Sequence, residues 1–138
     1  SMPKQPMLTL YDHSHWITCI KFNPNHESLM VSSSTDSLVN LWSVQLTVDN
    51  IYSETNNESN HTYDTNSAQY YNGSSEKAFE IKDCKLLSSL NDHEDSVYSV
   101  AWSSADPWLY ASVSYNGRVV IHHVPDETRY NILLSDKD

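Results

Sequence analysis

His13, Ser32 and Asp36 are the side-chain types of a nucleophilic triad, in which an imidazole takes a proton from a hydroxyl and a carboxylate orients the ring. A reactive serine also needs a strained turn that presents its oxygen, and donors aimed at the developing oxyanion. The chain has neither a G-x-S-x-G elbow nor a recognisable oxyanion hole, so the three residues read as structural. Metal chemistry is the other possibility, because the seven histidines include His13-x-His15 and the adjacent pair His122-His123. Two histidines at i and i+2 on a strand share a face, as zinc ligands require. No third ligand recurs at ligand-like spacing. The residues therefore predict no catalytic site, no metal and no cofactor, with a histidine-based metal hydrolase as the weaker alternative.

Composition narrows the partners. Eight basic against 18 acidic residues give a net charge of −10, which repels phosphate backbones and anionic headgroups. Nucleic acid and direct membrane insertion are excluded on that reading, and apolar runs such as Trp108 to Ala111 are far shorter than the ~20 residues of a membrane span. A soluble, cytoplasmic protein is expected. Cys19 and Cys84 have no Cys-x-x-Cys neighbour and read as reduced, structural thiols. Ser1-Met2 resembles a protease scar before a start residue, which points to a piece of a longer chain.

Those side chains must be positioned by something, and the chain repeats itself. Tyr11–Val44 aligns with Asn91–Val124 without a gap, with identities at Asp12/Asp92, His13/His93, Leu29/Leu109, Ser32/Ser112, Ser34/Ser114, Val39/Val119 and Val44/Val124. Each copy holds three short β-type runs: Ile17–Phe22 or Val97–Trp102, Ser28–Ser33 or Trp108–Val113, and Leu38–Trp42 or Arg118–His122. In the first run apolar residues fall at offsets of zero, three and five, so a bulge is needed to bring them to one face. Turns containing Pro24 or Pro107, then Thr35-Asp36-Ser37 or Tyr115-Asn116-Gly117, separate the runs. Further runs at Met7–Tyr11, Lys85–Leu90 and Arg129–Leu134 predict fourth strands. Lys85–Leu90 would close the first unit and Arg129–Leu134 the second, leaving Met7–Tyr11 to a preceding unit. Four antiparallel strands per unit of ~40 residues describe a propeller blade.

The pattern His13, Ile17, Ser32, Asp36 and Trp42, with Ser43 where an Asp would stand, resembles the WD repeat. The resemblance implies an all-β, WD-repeat β-propeller fragment of two four-stranded blades. It also implies a hydrogen-bonded structural relay through His13, Ser32, Asp36 and Trp42. The second copy keeps His93 and Ser112 but has Asn116 for Asp and His122 for Trp, so a weaker relay is expected there, with Asn116 still accepting from His93. The stretches DHSHW, SSSTDS, DHEDSVYSVAWSSADPWLYASVSYNGRVVIHHVP and RYNILL resemble the C-terminal blades of the EARP and GARP complex-interacting protein family. That resemblance implies a protein–protein interaction scaffold in endosomal recycling and endosome-to-Golgi transport, associated with endosomes and the trans-Golgi network. Its implied partners are subunits of a vesicle-tethering complex and the rest of its own propeller. An assembling propeller fragment of another WD-repeat complex is the alternative.

The organisation predicted is a first blade at 7–44, an insertion at 45–80, and a closing strand plus second blade at 84–134. Of the 36 insertion residues 15 are Asn, Ser or Thr and six are acidic, too little apolar surface to offset ordering entropy, so a long acidic disordered loop is expected. Tyr52, Tyr63, Tyr70 and Tyr71 would be its motif residues, against a plain solvated spacer, and Asn57, Asn60 and Asn72 begin glycosylation-type triplets. Three antiparallel strands reverse direction twice, so the entry to the first strand and the turn between the second and third share one rim. His15, Trp16 and Thr35 should be neighbours there, as should Glu94, Asp95 and Tyr115. These six are the candidate partner-binding residues, with Trp16 and Tyr115 as anchors.

Overall fold

Runs of five or six residues broken by Pro, Asn and Gly turns leave hairpins as the local solution, and the chain forms them in succession. The computed structural model describes residues 5–6, 8–49 and 78–136. Strands β1 (Ile17–Phe22), β2 (Leu29–Ser34), β3 (Val39–Asp49) and β4 (Ala78–Leu90) form one antiparallel sheet in that order, the first blade. Strands β5 (Val97–Trp102), β6 (Leu109–Ser114) and β7 (Val119–His123) form the second, and helix α1 (Asp126–Ser135) follows.

The bulge required by the apolar spacing is present in both copies. Ile17 pairs with Ser34 and Cys19 with Ser33, so Thr18 is the extra residue; the same shift lies between Val97 and Ser99. In the second blade it turns Val97, Val100 and Trp102 into a common core. That core lies between the blades, where Leu29, Val31, Val39 and Leu41 of the first meet Val97, Val100, Tyr110 and Val124 of the second. Each such aliphatic side chain taken from water contributes about 1.5–3 kcal/mol, which makes this contact the main adhesion between the two sheets.

Directional bonds set the blades in register. Thr18 Oγ1 donates to Val97 O (2.6 Å), Asn23 Nδ2 to Pro107 O (2.6 Å), Trp102 Nε1 to Lys21 O (3.0 Å) and Ser96 Oγ to Thr35 O (3.2 Å). Asn23 also folds its own turn, since Oδ1 accepts from the Asn25 and His26 amides. Trp102 and Trp108 both pack against the shared core, Trp108 with His26 stacked on its ring.

Three expectations need correction. Arg129–Leu134 does not pair as a strand but belongs to α1, so the second blade has three strands among the described residues rather than four. Pro125 presets the entry, Asp126 and Glu127 complement the N-terminal end of the helix dipole, and Asp126 pairs with Arg129 at 3.1 Å. Ile132 then packs back onto the core. Second, Leu8–Tyr11 is not a strand, and Met7 lies outside the described residues. Third, pairing of β3 with β4 runs on from Gln45–Asp83 to Asp49–Ala78, well inside the expected 45–80 insertion. Leu46 and Val48 alternate with polar residues, as do Phe79 and Ile81, a period-two pattern hidden by the polar average of the segment. Residues 50–77, including Tyr52, Tyr63, Tyr70, Tyr71 and the glycosylation-type triplets, lie outside the described residues.

The β2–β3 and β6–β7 turns both need a left-handed residue. Gly117 supplies it at φ 81°, whereas its counterpart Ser37 adopts φ 71° with a side chain.

Candidate functional site

The first blade is stiffened by one chain of hydrogen bonds. Trp42 Nε1 donates to Ser32 Oγ (2.9 Å), Ser32 Oγ lies 2.7 Å from His13 Nε2, and His13 Nδ1 lies 3.0 Å from Asp36 Oδ2. An indole only donates and a carboxylate only accepts, so the direction is set: Ser32 donates to His13 Nε2, and His13 donates from Nδ1 to Asp36. Asp36 also receives the backbone amides of Ser14 (3.1 Å) and Leu38 (2.9 Å). Burial pushes its carboxyl up, but the bonds from Leu38, His13 and Ser14 together hold it below the usual value. The chain ties the approach to β1 to the β2–β3 turn and to β3.

The second blade has a broken version. His93 Nε2 lies 2.7 Å from Ser112 Oγ, which lies 2.8 Å from His122 Nε2, so one hydroxyl serves two imidazoles. His122 occupies the place of Trp42, stacks on Tyr110 and has Asp92 Oδ2 at 3.9 Å from its Nδ1. Asn116 does not accept from His93, contrary to expectation: its Oδ1 takes the Ser114 hydroxyl and the Arg118 amide (3.1 Å). The remaining polar atom of Asn116 is an amide nitrogen, a donor. His93 Nδ1 is buried with no hydrogen-bond partner. Burial, reinforced by Arg118, lowers the His93 pKa; burial, reinforced by His93, lowers that of His122. Burial also raises the Tyr110 phenol.

Above these buried supports lies the rim. His15 Nδ1 hydrogen-bonds Thr35 Oγ1, and Trp16 O accepts the Thr35 amide (2.9 Å). The Trp16 ring does not pack into its own blade: it is 76% exposed, with His15 beside it at 5.5 Å. On the second blade Tyr115 N donates to Ser96 O (3.0 Å), Asp95 caps the Ser96 amide (2.7 Å), and Glu94 is exposed. Tyr115 is 68% exposed, its ring 4.9 Å from that of Tyr98. The Ser96–Thr35 bond joins the two clusters into one surface. Sequence reasoning missed Ser96 and Tyr98, although the repeat offset places Ser96 opposite Trp16 as the smaller residue at the same corner.

Among the described residues no three His, Cys, Asp or Glu side chains are grouped to hold a metal, and no helix is long and apolar enough to cross a membrane. Cys19 and Cys84 are both free thiols. Cys19 Sγ approaches Val100 O across the blades. Burial, aided by Asp83 and Asp12, raises the Cys84 thiol.

A family model described as WD domain, G-beta repeat, matches residues 4–43 and 84–123. The EARP and GARP complex-interacting protein 1 of Homo sapiens is 41% identical over 132 residues, covering 94% of this chain and 32% of that protein. The WD repeat-containing protein DWA2 of Arabidopsis thaliana is 40% identical over 121 residues, covering 88% and 29%. The EARP-interacting protein 1 of Caenorhabditis elegans is 30% identical over 142 residues, covering 92% and 32%. The chain thus spans under a third of the length of these relatives.

Proposed function

Because the chain belongs to the WD domain, G-beta repeat family, we propose that it is a non-enzymatic protein–protein interaction scaffold whose rim binds subunits of a vesicle-tethering complex. The observation that carries this reading is the pair of exposed aromatics, Trp16 and Tyr115, held on hydrogen-bonded turns of adjacent blades. Aromatic side chains with fixed backbones contribute large contact area at low entropic cost, and they dominate interface energies. His15 and Thr35 hold the first anchor, Ser96 ties the blades, and Glu94 and Asp95 give the surface a negative potential that steers a basic partner. Relatives named for interaction with the EARP and GARP complexes support the choice of partner. The cellular role that follows is endosomal recycling and endosome-to-Golgi transport, on the cytoplasmic side of endosomes and the trans-Golgi network.

The test is Trp16→Ala with Tyr115→Ala in the full-length protein, reading both thermal stability and recovery of the tethering complex from cells. The reading expects unchanged stability and recovery reduced tenfold or more, on the order of two anchors of ~1 kcal/mol each. Undiminished recovery would place the contact elsewhere.

A further inference from the structure

The hydrogen-bonded chain of the first blade runs one way, and that of the second can run either way. Trp42 Nε1 only donates and Asp36 only accepts, so each proton between them has one place. In the second blade an imidazole stands on each side of the hydroxyl, with Ser112 Oγ 2.7 Å from His93 Nε2 and 2.8 Å from His122 Nε2. Ser112 has one hydrogen, so it donates to one ring while accepting from the other, and reversing that order keeps both contacts. What changes is the far nitrogen. The ring that receives the hydroxyl hydrogen carries its own proton at Nδ1, and the ring that donates has Nδ1 bare.

The two far nitrogens meet different surroundings. His122 Nδ1 has Asp92 Oδ2 at 3.9 Å, and its ring is stacked on Tyr110 with centroids 4.9 Å apart. His93 Nδ1 has no hydrogen-bond partner, and the Arg118 charge acts on His93. Among the described residues, the charged and titratable groups facing the pair are Asp92 before β5, Tyr110 on β6 and Arg118 before β7. His93 is 2% exposed and His122 7%, so water does little to hold a charge on either. Burial holds both imidazoles below their ordinary value; Asp92 opposes it at both, while Arg118 reinforces it at His93 and His93 reinforces it at His122.

We propose that the His93–Ser112–His122 unit is a proton switch: a proton taken up by the pair settles as charge on His122, and Asp92 closes on its Nδ1 and latches the chain entering β5 to β7. One proton is added and no other bond to hydrogen is lost. In the charged unit both Nδ1 atoms carry a hydrogen, and the remaining choice is which way Ser112 points. Pointed at His93 Nε2, it leaves His122 with hydrogens on both nitrogens, and the positive ring lies against the Asp92 carboxylate and the Tyr110 face. Pointed at His122 Nε2, it puts the charge on His93, under the repulsion of Arg118. The first order is the favoured one. A charged hydrogen bond spans about 2.8 Å, so Asp92, half exposed at 51%, moves inward by roughly 1 Å. Trp42 stands at the same place in the first blade and takes up no proton, which confines the device to the second.

The experiment is a titration of the chain from ~pH 8 to ~pH 5, the range in which histidine charges, read from the ring nitrogen resonances of His93 and His122 and the carboxyl carbon of Asp92. The two rings titrate as a coupled pair, so the decisive reading is where the charge lies after the first step. His122 should then show both nitrogens protonated, His93 should show Nδ1 protonated and Nε2 accepting, and the Asp92 signal should move at the same midpoint. Asp92→Asn removes the counterion and should weaken the first proton's binding about threefold or more. If that variant fails to fold, Asp92→Ser removes the same charge. Charge on His93 in the first step would overturn the proposal. So would a first step unmoved by loss of the Asp92 charge, an Asp92 signal blind to that step, or unfolding before either ring charges. None of these residues is among the proposed partner contacts and the titration involves no partner, so failure here and failure of the rim reading are separable.

Discussion

Asn116→Asp should stabilise the protein, although it adds a charge to a chain that already carries −10. In the first blade Asp36 spends one oxygen on Leu38 N and the other on His13 Nδ1 and Ser14 N. In the second, Asn116 spends its single oxygen on Arg118 N and Ser114, and His93 Nδ1 is orphaned. An aspartate keeps the first oxygen where it is and adds a second acceptor in place of a donor, which pairs a protonated His93 Nδ1 in the tautomer where Ser112 donates to His93 Nε2 and accepts from His122 Nε2. Pairing a buried orphan recovers ~1–3 kcal/mol, and desolvation of the new carboxylate takes back part of it, for a net gain of about 1–2 kcal/mol. For a domain of this size that is a rise in Tm of roughly 3–10 °C, read by thermal and urea unfolding at neutral pH. The reciprocal change, Asp36→Asn, reproduces the second blade's defect in the first and should cost ~1–3 kcal/mol. A lower or unchanged Tm for Asn116→Asp, with Asp36→Asn neutral, would refute the assignment of these bonds as the source of blade rigidity.

Two further outcomes follow from the same geometry. Ser37→Gly should gain about 0.5–1 kcal/mol by relieving a left-handed backbone, while Gly117→Ala should lose about 1 kcal/mol although nothing lies within 4 Å of the added carbon; paired urea titrations that show no opposite shifts would contradict this. Stability should also fall on mild acidification. His93 and His122 are held below the ordinary 6.5 when folded, so the unfolded chain binds protons first and stability is lost as pH drops from ~7 towards ~5. Asp36, held below 3.8, gives stability present above that value and lost only in stronger acid. A urea midpoint that is flat between about pH 7.5 and pH 5.5 would count against the first step.

What was legible in the sequence is what depends on local spacing. The offsets of Ile17, Ile20 and Phe22 demanded a bulge, and Thr18 is the bulged residue. The double reversal of three strands placed His15 beside Thr35, and their side chains meet. What was not legible depends on competition between local choices. Arg129–Leu134 has strand-forming composition, but Pro125 and two acids before it set a helix start that outweighs it. The continuation of β3 to Asp49 was masked because the average polarity of a segment hides a short alternation. Asn116 resembles an aspartate in shape but offers one acceptor rather than two; that oxygen serves Ser114 and Arg118, and His93 Nδ1 has no partner.

The interaction reading is tested most directly by affinity capture of the full-length protein from cells, comparing wild type with the Trp16→Ala, Tyr115→Ala double variant at matched stability. The account predicts that wild type recovers the tethering-complex subunits and that the double variant loses them at least tenfold while its Tm is unchanged. Equal recovery by both, or no tethering subunits with either, would contradict it.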